Sequence, residues 1–282
     1  MRAFPAIPDA TDAPEKLFEQ GHLWLLEYID GAPFRFQLQR SGVLRFGDEH
    51  RVYNDPDTMP EPYNHAVRHV QTRFDRQALQ RAVDDVEDVV FFAYATQRQY
   101  IDYDWERMPP VLGRDVWSET EETLRPPDAV DGIFEQLGLR AVNVFEREVR
   151  ARDFDPQSYS IPSSEWYDGP AAGVVIWNKK GERAKLRHSD LGEPPERKPA
   201  DPTAEALARR YVTRRTLEAL VDELERREQA VTFTYLYERA LEESARKAHD
   251  VVSNGDIERD EYRSEVATLV RKFLDEYEYT RA

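Results

Sequence analysis

The chain has 282 residues, 39 basic against 55 acidic, a formal net charge of −16, and no cysteine. Disulfides, thiolate chemistry and cysteine-based zinc sites are excluded, and the acidic balance excludes a basic nucleic-acid module by charge alone. Of the basic residues 7 are lysine and 32 arginine. A dense acidic surface with scarce lysine suits a multimolar-salt cytosol, where carboxylates hold water and self-repulsion is screened; an acidic protein from an ordinary high-GC organism is the alternative. The opening residues lack an apolar signal core, and the longest apolar run, VVFFAYA at 89–95, is too short to span a bilayer. A soluble, cytoplasmic protein without a membrane partner is expected.

Residues 22–46 read as strands with turns at Asp30-Gly31 and Ser41-Gly42. Within them LLEYIDGAPFRF (25–36) reads as a hairpin, Gly31 supplying the positive φ of the turn. From Glu61 to Val86 the pattern is helical, with Ala66, Val70, Phe74, Leu79 and Val83 as the apolar stripe. VVFFAYAT (89–96) and PPVLGRDVW (109–117) read as strands, and 128–138 as a helix capped by Asp128 and stopped by Gly138. GVVIWN (173–178) and RAKLRH (183–188) are two strands around a KKGE turn. The proline-rich stretch at 191–202 reads as a linker. Beyond it, three stretches of 3.6-residue periodicity predict three helices. The expected organisation is an α+β domain over 1–190, the linker 191–202, and a helical domain over 203–282.

Several short motifs follow one another in a telling order: EYIDGAPFRF with Glu27, Asp30, Gly31, Phe34 and Arg35; the strand VVFFAYAT; VLGRDVW with Asp115; AGVVIWN; and AKLR with Lys185 and Arg187. From Trp24 to His188 the chain resembles the ATP-dependent RNA ligase branch of the covalent nucleotidyltransferases. The resemblance implies an antiparallel-sheet adenylation domain of the α+β class followed by a helical C-terminal domain. It also implies ATP and Mg²⁺ as cofactors and nucleotide or RNA ends as partners; apart from the resemblance, the arginine pairs at 209–210, 214–215 and 226–227 make the helical domain a candidate contact for a protein. In the family a lysine attacks the α-phosphate of ATP, neighbouring cations having lowered its pKa. Motif lysines and the metal carry the developing phosphate charge, and carboxylates hold ribose and metal. By this correspondence Glu27, Asp30, Gly31, Arg35, Lys185 and Arg187 are the nucleotide-binding candidates.

The sequence departs from the family at the reacting centre. Tyr28 stands at the nucleophile position, and Tyr94 and Ala172 stand where two carboxylates belong. Trp177 closes the fourth motif in place of a basic residue, and Arg114 precedes Asp115 in place of Phe. No lysine occurs between residues 17 and 178. A ligase-like protein that does not self-adenylylate, a pseudoenzyme keeping at most weak nucleotide or nucleic-acid-end binding, is the expectation. Two alternatives stay open: an active ligase using an unusual nucleophile, and an interaction protein whose cleft is closed. In the first, Tyr28, with a reference pKa near ~10, would need cations to depress it. In the second, Tyr28 and Tyr94 stack on adjacent strands and fill the space of the lost charges.

Other candidates have plain readings beside the functional ones. Arg45, His50 and Arg51 follow the first strands, where the family contacts nucleic acid, or form a solvated turn. Lys185 and Arg187 alternate on one strand and so share a face, either as exposed charges or as a phosphate site. His65 and His69 are four apart on a helix but lack a third ligand, so no metal site is assigned. Asp102, Asp104 and Glu106 form a cation site or, the plainer reading, an acidic surface loop.

Overall fold

The computed structural model describes residues 1–189, 203–249 and 257–281. In chain order, a one-turn α1 (Lys16–Glu19) precedes β1 (His22–Tyr28), β2 (Ala32–Leu38), β3 (Leu44–Gly47) and β4 (Val52–Tyr53). Next come α2 (Asn64–Arg73), α3 (Arg76–Ala82), β5 (Val89–Ala95), β6 (Val111–Ser118), β7 (Thr123–Leu124) and α4 (Pro127–Gln136). The α+β part closes with β8 (Arg140–Ala141), β9 (Val144–Arg150), β10 (Gly173–Asn178) and β11 (Arg183–Arg187). The chain divides into two compact units, Met1–Glu193 and Pro194–Ala282. The expected linker at 191–202 lies outside the described residues.

Two sheets build the first unit. A four-stranded antiparallel sheet has the order β11-β10-β1-β9, and a seven-stranded sheet runs β4-β3-β2-β5-β6-β7 with β8 parallel to β6. The expected hairpin at 25–36 is therefore corrected: β1 and β2 belong to different sheets. Ile29 is fully buried, and the Asp30 carboxylate accepts the amides of Tyr100 and Ile101 at 2.7 and 2.8 Å while its own amide donates to Tyr103 Oη. These contacts hold the crossing. Gly31 lies outside the positive-φ region; its need for glycine is close approach, since a Cβ there would stand 2.9 Å from the Ala95 carbonyl oxygen. The Ser41-Gly42 turn does use positive φ, +82° at Gly42.

The strands alternate two apolar faces. Trp24, Leu26, Val175 and Trp177 face the seven-stranded sheet and join its core, while Leu23, Leu25, Val174, Ile176 and Ala184 pack on the opposite face with α1. The far face of the large sheet carries Phe36 and Phe91, stacked at 4.8 Å, against Phe74 and Phe134 from the helical side. The expected helix over 61–86 is broken at Phe74. Asp75 has extended backbone and caps α3, its carboxylate accepting the Ala78 amide at 2.8 Å. The α4 helix starts at Pro127 with Pro126 as its cap, not at Asp128, whose carboxylate meets Lys179 Nζ at 3.0 Å.

The second unit is helical: α5 (Ala204–Tyr211), α6 (Arg214–Arg226), α7 (Phe233–Lys247) and α8 (Arg259–Arg281). The first expected helix is two helices, because Thr213 turns extended and its hydroxyl accepts the Thr216 amide at 3.1 Å. Leu207, Ala208, Leu217, Val221, Leu236, Ala240, Val266 and Val270 form its core. Among the described residues no helix is long and apolar enough to cross a membrane.

Candidate functional site

The two sheets of the first unit pack face to face, and the candidate residues gather in the seam between them, the cleft. β1 brings Tyr28 to it, and β11, whose Ala184 packs on the outer face, brings Arg183, Lys185 and Arg187. From the large sheet come Arg35, Phe92 and Asp115, aligned across three paired strands, together with Tyr94. The pairing of β5 with β6 slips between Phe92–Asp115 and Ala93–Gly113, leaving Arg114 as an extra residue. Such a bulge redirects its side chain. Arg114 and Asp115, consecutive residues that a regular strand would send to opposite faces, both reach the cleft.

Its centre is a buried ionic cluster. Arg183 Nη1 donates to both Asp115 carboxylate oxygens at 2.9 Å, and Arg114 Nε donates to Asp115 Oδ2 at 2.6 Å. Arg114 also lies 5.7 Å from the Tyr94 ring centroid, and Arg183 lies 5.6 Å from that of Trp177. Burial works against the Arg114 charge, yet Asp115 holds its pKa above the ordinary value. Burial lowers that of Arg183, with Asp115 opposing.

Tyr28 and Tyr94 meet edge to face, centroids 6.1 Å apart and planes at 84°. The expected stack on adjacent strands is corrected: the rings come from opposite sheets and touch across the cleft. Burial raises the Tyr28 phenol above its ordinary pKa despite Arg187 and Arg114, and pushes Tyr94 up to about 12. Ala172 is fully buried just ahead of β10, its carbonyl accepting the His188 amide at 2.9 Å.

The remaining candidates are placed as follows. Glu27 falls on the face of β1 opposite Tyr28 and is buried. It accepts Ser164 Oγ at 2.5 Å, with Asn143 Nδ2 and the Glu165 amide at 3.3 Å, and burial raises its pKa. Asp30 is committed to the 100–103 loop, its pKa likewise raised by burial. Gly31 lines that crossing. Arg35 reaches the cleft but donates to backbone, the Arg2 carbonyl at 2.6 Å and the Arg51 carbonyl at 3.3 Å. Arg45 donates to Gln37 Oε1 at 3.0 Å, and Arg51 is exposed at the sheet edge. Thus Tyr28, Tyr94 and Arg187 come together, Lys185 shares the strand face of Arg187, and Arg35 ends on backbone carbonyls, whereas Glu27, Asp30, Arg45 and Arg51 serve the surrounding frame.

Sequence reading missed Arg183, whose even spacing from Lys185 and Arg187 is a usable signal, and it missed the segment at 2–9. Phe4 meets Phe92 edge-on at 5.1 Å and lies 4.3 Å beneath the Arg114 guanidinium. Arg2 sits 4.2 Å over the Trp117 ring, Ile7 packs on the core, and the Pro8 carbonyl accepts the Lys185 amide at 2.9 Å. Asp9 pairs with Lys185 as a parallel bridge and its carboxylate lies 3.9 Å from Arg187 Nε.

The donor set does not fit a metal-bound nucleotide. Asp115 is held by two guanidinium groups, and Glu27 and Asp30 are turned elsewhere. Among the described residues no group of three or more ligating side chains comes together.

No protein-family model matches the chain, and no curated protein matches it. Solved structures do. A Naegleria gruberi RNA ligase mutant with ATP and Mn is 11% identical at TM-score 0.51, over 69% of this chain and 59% of that one. The same ligase with PPi is 10% identical at 0.50, over 66% and 56%. An archaeal ATP-dependent RNA ligase, form 2, is 15% identical at 0.49, over 96% and 74%. The shared feature is the fold, the antiparallel α+β architecture of ligase nucleotidyltransferases.

Proposed function

We propose that this chain is an RNA ligase-like protein that does not form a covalent nucleotide adduct and holds nucleotide or RNA ends only weakly. One observation carries the reading. The residue at the nucleophile position is a half-buried phenol packed on a second phenol, and burial raises the pKa of both. Attack on a phosphate needs the deprotonated nucleophile, and here the surroundings favour the protonated form. The cations Arg114, Arg183 and Arg35, which would steady phosphate charge, are spent on Asp115 and backbone carbonyls. The ligase fold and the pair Lys185 and Arg187 support residual affinity for anionic ends.

Incubation with α-labelled ATP and Mg²⁺, read by intact-mass spectrometry, tests this. No added AMP mass is expected. AMP mapped to Tyr28 would overturn the reading and establish a tyrosine-nucleophile ligase. Thermal stabilisation by nucleotide without an adduct would mark the residual binding.

A further inference from the structure

We infer that residues 2–9 are an intramolecular strap that lies along the seam between the two sheets and must lift before an anionic ligand reaches Arg35, Arg114 and Arg183; this deepens, and rests on, the proposed ligase-like reading. The strap copies the chemistry such a ligand would offer. The Arg2 carbonyl is the acceptor for Arg35 Nη1 at 2.6 Å. The Phe4 ring is the flat surface between Arg114, 4.3 Å away, and Phe92 at 5.1 Å. The Asp9 carboxylate is the anion near Arg187 at 3.9 Å. Between them Ile7 anchors on the core, and the Pro8 carbonyl takes the outward amide of Lys185 at 2.9 Å. That last bond also covers the edge of the small sheet at β11, leaving fewer open backbone groups there.

These contacts come from four strands, β2, β5, β6 and β11, and from the core beneath. Residues 10–21 tether the strap to β1, so it competes at the high effective concentration of a short intramolecular link, about millimolar. Yet its hold is local. Arg2, Ala3, Ala6 and Asp9 are exposed, and Phe4, Ile7 and Pro8 are only half-buried. A segment held by one ring, one aliphatic side chain, a cation–π contact, an ion pair and a few hydrogen bonds opens at far lower cost than the sheets beneath it. The cleft is thus closed by a part of the chain that can leave without unfolding the rest. A ligand's apparent affinity is then its intrinsic affinity reduced by the fraction of molecules with the strap lifted.

Inorganic tripolyphosphate is the probe, measured by calorimetry on the full chain and on two variants. The double change Phe4→Ala with Ile7→Ala should tighten binding about tenfold by raising the open fraction. Asp9→Asn, an exposed change that leaves the core untouched, should tighten it about threefold by freeing Arg187. In the unmodified chain, saturating tripolyphosphate should speed hydrogen exchange at the Lys185 amide, which loses the Pro8 carbonyl when the strap lifts. Equal affinities in the chain and its folded variants, no binding by any of them, or unchanged Lys185 exchange at saturation would each overturn the strap. Should the double variant fail to fold, Asp9→Asn and the Lys185 amide decide. An AMP adduct on the unmodified chain would instead overturn the adduct-free reading of the proposed function, so the two failures are separable.

Discussion

Replacing Asp115 by asparagine probes the cleft most directly. The side chain keeps its shape and loses its charge, leaving the buried guanidinium groups of Arg114 and Arg183 facing each other. Asp115 is 1% exposed and each arginine 7%, so water cannot take over the lost role. Breaking a buried pair by removing one partner costs about 3–5 kcal/mol. Here one anion serves two cations, through contacts of 2.9, 2.9 and 2.6 Å, so the upper half of that range is expected. Arg183→Met is the control, because Asp115 then keeps Arg114, and the cost should be nearer 1.5–3 kcal/mol, roughly that of a charge-assisted hydrogen bond. Combining the two should cost less than their sum by about 1 kcal/mol or more, since the second change removes one stranded cation. Urea unfolding followed by tryptophan fluorescence suits the measurement. All five tryptophans, at 24, 105, 117, 166 and 177, lie in the first unit. With a urea slope of about 2 kcal/mol per molar, Asp115→Asn should lower the midpoint by about 2 M. A loss below about 1 kcal/mol, or strict additivity with Arg183→Met, would refute the cluster as a coupled unit.

Gly31→Ala should destabilise the first unit by about 1–3 kcal/mol, because its Cβ would press on the Ala95 carbonyl oxygen at 2.9 Å; an unchanged urea midpoint would show that the crossing relaxes freely. Burial raises the folded-state pKa of Glu27, so its contribution is fully present below the unfolded value and is lost as pH rises through the folded one. The stability of Glu27→Gln relative to the parent should therefore climb as pH rises above the ordinary carboxylate value, ~4, and parallel curves would refute the assignment. A net charge of −16 should make the melting temperature rise with added KCl as self-repulsion is screened, the behaviour of a salt-adapted surface; a flat or falling curve would remove that reading.

The sequence by itself determined which segments are strands and helices wherever apolar period and turn chemistry agree. β5 is a continuous run of β-branched and aromatic residues, and Gly42 and Gly138 end their elements with positive φ. It also carried the order of the motifs, on which the resemblance to a ligase rests. Local signals misled where a long-range contact outweighed them. Asp-Gly at 30–31 carries the chemistry of a hairpin, yet the 100–103 loop and the Ala95 carbonyl make it a passage between sheets. Thr213 and Asp75 break periodic stretches by capping the next helix, which the apolar stripe alone does not announce. Only the tertiary structure decided who meets in the cleft. The pairing slip in β6 turns Arg114 to the same side as Asp115, and residues 2–9, which carry no periodic or motif signal, lie across both sheets. Sequence spacing encodes faces along one element; what fills the space between two elements depends on how they pack, and that is set by contacts far apart in the chain.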